Sequence, residues 1–290
     1  MWFVTSCYGK DYAAYLAVFL ASVRQSHPDG RVLVIHDEIP EKIVRAMARE
    51  NPNASFVHKG DVELAKDNTR RIAAKLDFWM AAFDLIDAQT IVFIDADTMV
   101  RDSLKNALLP GSDALITAKN GKFPLNTGVV IVRNDDRGRG LIADWKARTE
   151  ALCLSAERIE DATRRAGGPD QATMLDIVGD PRPVPGMYRG AFNIQVARCE
   201  DYNETDCVPL SAPAKVFHFK GGVWRKILMM GRGYTAERSE ARSREMRELW
   251  RSTLVGEETR MGMRLVPLKY RLIRLKQEIV GLFRGRAGPA

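Results

Sequence analysis

The sequence predicts an α/β fold with a mostly parallel central sheet flanked by helices, ending in a basic helical tail. Short apolar runs alternate with helical stretches over the first hundred residues, which is the pattern of parallel strands joined by crossover helices. The apolar run Ile91-Val92-Phe93-Ile94 ends in Asp95-Ala96-Asp97, and open α/β sheets collect ligands beyond the carboxyl ends of their strands. From Tyr234 onward the chain becomes basic and reads as helical.

Taken in order, Trp2 to Ser6 reads as a first strand, followed by a turn at Cys7-Tyr8-Gly9. Asp11 to Gln25 is an apolar helix and Arg31 to His36 a second strand. Pro40 opens the next helix, through Arg49, at a first-turn position where its missing N–H costs nothing. Ser55 to His58 is a short strand, Thr69 to Leu85 a helix, and Thr90 to Ile94 the strand that carries Asp95. Ala114–Ala118 and Thr127–Arg133 then follow as strands with no helix between them. Gly140–Leu154 and Pro169–Val178 read as helices, Pro181–Asp206 as a long loop with short strands, and Val216–Phe219 as a last strand. No internal repeat or low-complexity segment interrupts the series.

Charge is unevenly distributed. Residues 225–290 hold 16 Lys and Arg against 7 Asp and Glu, whereas residues 1–224 hold 28 against 30. A body so near neutrality lacks the basic patch of a nucleic-acid-binding domain, so no nucleic acid is expected as a partner. Cys7, Cys153, Cys199 and Cys207 form no CxxC pair and no zinc spacing, and read as free thiols of a reducing compartment. The start, Met1-Trp2-Phe3-Val4-Thr5, has no basic stretch leading into an apolar one. The apolar stretch Tyr12–Val23 is too short to span a bilayer. The expected location is cytoplasmic.

The chemistry concentrates at Asp95 and Asp97. Two carboxylates one residue apart at a strand end suit a hard divalent cation, Mn²⁺ or Mg²⁺, which takes oxygen ligands and keeps positions open for phosphates. The same residues also suit a turn or a helix N-cap. A GxGxxG fingerprint and a Walker A loop are both absent, so a bound nucleotide would be held through an external metal.

Four further segments give this reading a context: Lys75-Leu76-Asp77-Phe78-Trp79, Leu125-Asn126-Thr127-Gly128-Val129, Gly168-Pro169-Asp170-Gln171 and His218-Phe219-Lys220-Gly221. With Val92-Phe93-Ile94-Asp95-Ala96-Asp97-Thr98 in its place among them, the ordered set resembles glycosyltransferases of the GT-A fold, most closely family 8, over residues 1–230. The resemblance implies a Rossmann-like domain with a nucleotide-sugar half at about residues 1–100 and an acceptor half at 101–230, and residues 231–290 as an extension. It implies a hexose transferred from a UDP-linked donor to a glycan or lipid-linked acceptor, with retention of configuration. It makes Asp95, Asp97 and His218 metal ligands. Thr5, Tyr8, Lys75, Asp95, Ala96, Asp97, Lys220 and Gly221 fall on the donor side, and Asn126, Asp170 and Gln171 at the sugar and acceptor. Phe192-Asn193-Ile194-Gln195 would help line the acceptor side.

The late motif departs from the family. It continues Gly222-Val223-Trp224-Arg225-Lys226 without the proline that normally precedes tryptophan, leaving Lys220, Arg225 and Lys226 as alternatives for meeting the diphosphate. No residue marks itself as a nucleophile, and Asp170 is a candidate base were the enzyme inverting.

In the tail, Leu265, Leu268, Leu272, Leu275, Ile279 and Leu282 make an apolar stripe at helical spacing, flanked by Lys269, Arg271, Arg274, Lys276, Arg284 and Arg286. A basic amphipathic helix over 264–286 suits an anionic membrane surface, which would make the protein peripheral on the inner face; it equally suits packing on the body or a coiled coil. Two rival functions stand beside glycosyl transfer. A nucleotidyltransferase would want a Gly-rich basic loop in place of Thr5-Ser6-Cys7-Tyr8-Gly9-Lys10, and a non-catalytic membrane adaptor leaves the ordered motifs unexplained.

Overall fold

In the computed structural model, residues 1–8, 12–59, 68–119, 121–205 and 214–218 are described. The first half of the chain lays down four parallel strands: β1 (Trp2–Tyr8), β2 (Arg31–Asp37), β3 (Ala54–His58) and β4 (Thr90–Ile94). Helices α1 (Ala13–Ser26), α2 (Glu41–Glu50) and α3 (Asn68–Leu85) cross between them. The second half adds β5 (Thr98–Val100), β6 (Ala114–Ala118), β7 (Leu125–Arg133), α4 (Asp136–Cys153), α5 (Ala156–Ala166), α6 (Pro169–Val178), β8 (Gly186–Arg189), β9 (Asn193–Arg198), α7 (Cys199–Tyr202) and β10 (Val216–His218).

The main sheet runs β3-β2-β1-β4-β7-β6-β9-β8. It is parallel from β3 to β4 and mixed beyond, with β7 antiparallel to both β4 and β6. The chain builds outward from β1 to β3, then returns to place β4 on the other side of β1. The carboxyl ends of β1 and β4 therefore flank a topological switch point, where such sheets open a crevice.

Both faces of this sheet are covered, which is why its strands read as unbroken apolar runs. Ile91 and Phe93 of β4 face a core with Trp79, Phe83 and Trp145. Val92 and Ile94 face the other core, with Leu16, Phe19 and Leu20 of α1. That alternation is the two-residue period of a strand. The Trp79 ring stacks on Phe93 at 4.6 Å and meets Trp145 edge-on at 5.6 Å, aromatic geometry that adds to simple area burial.

Several boundaries differ from the sequence reading. Cys7 and Tyr8 continue β1, pairing with His36 and Asp37 of β2, where a turn was expected; Gly9 lies outside the described residues. Asn126 lies inside β7 rather than ahead of it. Pro40 is the N-cap of α2, one place earlier than expected. Helix α5 was missed because Ala162 and Ala166 are its buried residues, too small to write an apolar stripe. It ends at Gly167, whose φ of +89° suits glycine, and a Cβ there would press on the Phe123 ring at 3.1 Å. Strand β5 is three residues long, directly behind the acidic tripeptide.

β5 pairs with β10 in a small antiparallel ribbon. Its register sets His218 opposite Thr98. The basic tail, Cys207 and residues 219–290 lie outside the described residues. Among the described residues, no helix is long and apolar enough to cross a membrane.

Candidate active site

Asp95 and Asp97 stand where β4 runs out. The Asp95 N–H donates to the Gly128 carbonyl at 2.9 Å, and Thr98 Oγ1 donates to the Asp95 carbonyl at 2.8 Å. The backbone beneath the carboxylates is thus held from both sides. Ala96 between them is buried in the α1-side core.

His218 arrives from the far end of the chain. Through the β5–β10 register its Nε2 lies 3.2 Å from Asp97 Oδ1 and 3.6 Å from Asp95 Oδ2. One ligand atom from each of the three residues lies within 4.8 Å of the others. Atoms bonded at about 2.1 Å to one ion sit about 3 Å apart at right angles, so this cluster has the size of a divalent-cation site. Gly128 makes the approach possible. A Cβ at that position would lie 2.2 Å from His218 Cε1 and 3.1 Å from Asp95 Oδ2. Two carboxylates, one imidazole and a floor that tolerates no side chain fit a hard cation held on one side and open on the other.

A second cluster adjoins the first. Lys75 Nζ, on α3, lies 3.4 Å from Asp95 Oδ1 and 3.4 Å from Asp170 Oδ2 on α6, and 4.8 Å over the Trp79 ring. Burial alone would push the Lys75 ammonium down, but Asp95 and Asp170 outweigh it and hold it above its ordinary value. The lysine is a fixed positive charge between two carboxylates. Asp170 is 5% exposed, and Thr127 Oγ1 donates to its Oδ2 at 2.6 Å. Trp145 Nε1 donates to the Asp170 carbonyl at 2.8 Å, which anchors the first turn of α6 to α4.

The remaining expected residues distribute unevenly. Thr5 is fully buried, and its Oγ1 has no hydrogen-bond partner among the described residues. Tyr8 lies against Phe78, ring centroids 5.4 Å apart. Gln171 Oε1 is likewise buried without a partner among the described residues. Asn126 is 2% exposed, its Oδ1 accepting from the Gly128 N–H at 3.1 Å and its amide facing Cys199 Sγ at 3.8 Å. Asn193 Nδ2 donates to the Gly111 carbonyl, and Gln195 bonds Leu109 and Ala107, so both amides tie β9 to the loop between β5 and β6. Lys220 and Gly221 lie outside the described residues.

Sequence reasoning missed the parts played by Thr127 and Gly128, although both stood in a quoted motif. It missed Asn203, whose Oδ1 is 3.0 Å from His218 Nδ1, because nothing nearby in sequence marks it.

With this geometry in view, solved structures supply the comparison. The galactosyltransferase LgtC, in complex with donor and acceptor sugar analogs, is 20% identical over 88% of this chain and 100% of its own, with a TM-score of 0.50. The apo-form glycosyltransferase GlyE of Streptococcus pneumoniae TIGR4 is 11% identical over 93% of this chain and 64% of its own, with a TM-score of 0.58. The chain has the GT-A glycosyltransferase fold. At these identities the likeness is one of fold. No protein-family model matches the sequence, and no curated protein matches it.

Proposed function

We propose that this protein is a glycosyltransferase of the family 8 kind, moving a hexose from a nucleotide sugar, UDP-hexose for preference, to a glycan or lipid-linked acceptor with retention of configuration. The observation that carries the reading is the convergence of Asp95, Asp97 and His218 beside the Lys75–Asp170 pair at the sheet's switch point. LgtC, a neighbour in fold, has been seen with donor and acceptor sugar analogs, which supports the same two classes of ligand here.

Asp95, Asp97 and His218 would hold Mn²⁺ or Mg²⁺. Bound there, the ion supplies Lewis-acid stabilisation of the charge that develops on the leaving diphosphate. The chain's own residues do the rest. Lys75 sets a desolvated positive charge next to that developing charge, aimed in advance by Asp95 and Asp170. Asp170 has one oxygen already engaged by both Thr127 and Lys75, which favours positioning of the sugar over the base an inverting enzyme needs. Tyr8, at the end of β1, and Thr5, three residues back within it, would lie on the donor side, with Ala96 between the aspartates. Lys220 and Gly221 follow His218 on the donor side, and Asn126 and Gln171 border the sugar. In this reading residues 1–230 are the catalytic domain, and 231–290 an extension whose 264–286 stripe meets an anionic membrane face from the cytoplasm.

The test is hydrolysis and transfer with UDP-hexoses, with and without Mn²⁺, on wild type and Asp97→Ala. Wild type should require the metal, and the variant should lose at least about 10²-fold in kcat, the scale on which a preorganised electrostatic group acts. Metal-independent turnover, or an unaffected variant, would refute the assignment.

A further inference from the structure

The hydrogen-bond network behind His218 has a definite direction. Thr117 Oγ1 donates to the Asn126 carbonyl at 2.8 Å. Asn203, fully buried, then directs Nδ2 to that same carbonyl at 3.1 Å and to Thr117 Oγ1 at 3.0 Å. The two acceptors lie 2.8 Å apart, so they share one amide proton in a three-centre bond. Turning the amide over would set Oδ1 about where Nδ2 now lies, 3.1 Å from the Asn126 carbonyl oxygen, acceptor against acceptor. Oδ1 consequently faces His218 Nδ1, 3.0 Å away, and can only accept. The Asn203 backbone is clamped too: its N–H donates to the Cys199 carbonyl at 2.8 Å, and the next residue pairs with β10 through Glu204 N–H to the Val216 carbonyl at 2.9 Å.

We infer that Asn203 is a positioning residue: it holds the proton of neutral His218 on Nδ1, so that the Nε2 lone pair faces Asp95 and Asp97 as a metal ligand. This rests on the proposed cation site. The ring nitrogen opposite a ligating one ordinarily donates to an oxygen that fixes tautomer and orientation, and loss of that partner costs on the order of 10–100-fold in metal affinity.

The experiment has two arms on the full-length chain. Long-range proton–nitrogen NMR of ¹⁵N-histidine-labelled, metal-free protein at mildly alkaline pH, with His218→Gln to assign the signal, reads the tautomer. Wild type should carry the proton on Nδ1, and Asn203→Ala should shift the population toward Nε2. Titration with Mn²⁺ followed by electron paramagnetic resonance should show Asn203→Ala binding about 10–100-fold more weakly than wild type. A wild-type His218 protonated on Nε2 overturns the inference, even should Asn203→Ala fail to fold. So does equal Mn²⁺ affinity in the variant. A wild type that binds no Mn²⁺ but has the Nδ1 proton sinks the cation site while leaving the orienting role of Asn203 standing.

Discussion

The two carboxylates and the imidazole of the candidate site come from regions built in different ways. Asp95 and Asp97 follow β4, a strand buried on both faces between two hydrophobic clusters. His218 closes β10, three residues paired with β5 and bridged to Glu204. The first region owes its position to the mass of the sheet. The second owes its position to a short ribbon, a glycine floor and a chain of side-chain hydrogen bonds. Perturbing the ribbon should therefore remove the site while sparing the fold, whereas perturbing β4 should damage both.

The largest separation of the two is expected from Gly128→Ala. The new Cβ must displace His218, because the sheet backbone beneath cannot yield. Turnover should fall about 10²-fold, the scale of a misplaced catalytic group. Far-ultraviolet circular dichroism should be unchanged, and stability should drop by about 1–3 kcal/mol, as for a small overpacking change. A variant as active as wild type would show that His218 need not sit against Gly128.

Lys75→Met tests how the α3 charge couples the regions. It leaves Asp95 and Asp170 without their shared ammonium, and breaking such a buried pair typically costs about 3–5 kcal/mol. Added Mn²⁺ should restore part of the melting temperature, because a cation on Asp95 replaces the lost charge. Equal melting curves with and without Mn²⁺ would count against a cation at Asp95.

The contrast also explains what could be read from sequence. Strands β4 and β6 and helix α6 match their expected bounds because buried runs and a Gly-Pro start leave a local signature. Asp95, Asp97 and His218 were visible as residue types in an ordered series. The contacts that make them a site were not. Gly128 under His218, Thr127 on Asp170 and Asn203 behind His218 depend on the β5–β10 register and the β7 path, and no spacing rule links residues so far apart. The three-residue β5 and the alanine-faced α5 lack enough apolar surface to announce themselves.

A smaller effect concerns the tie between α1 and the segment after β5. His27 accepts the Leu104 N–H at Nε2, 3.0 Å away, and Nδ1 meets Ser26 Oγ at 2.9 Å. Burial, with Lys105 next, holds the His27 imidazolium below its ordinary value of 6.5. The unfolded chain thus binds this proton more readily, so the stability the neutral ring contributes is present above 6.5 and is lost as pH falls below it toward the folded value. Chemical denaturation should show a midpoint level above 6.5 and declining below it, and His27→Gln should flatten the decline. An unchanged slope in the variant would assign the decline to other groups, His36 among them, whose pKa burial also lowers.

The central claim is that Asp95, Asp97 and His218 hold one divalent cation. A crystal grown with Mn²⁺ and measured for anomalous scattering tests it most directly. The account predicts a peak among the two carboxylates and His218 Nε2, with His218 Nδ1 still on Asn203. A peak bound elsewhere, or none with the three side chains ordered, would contradict it.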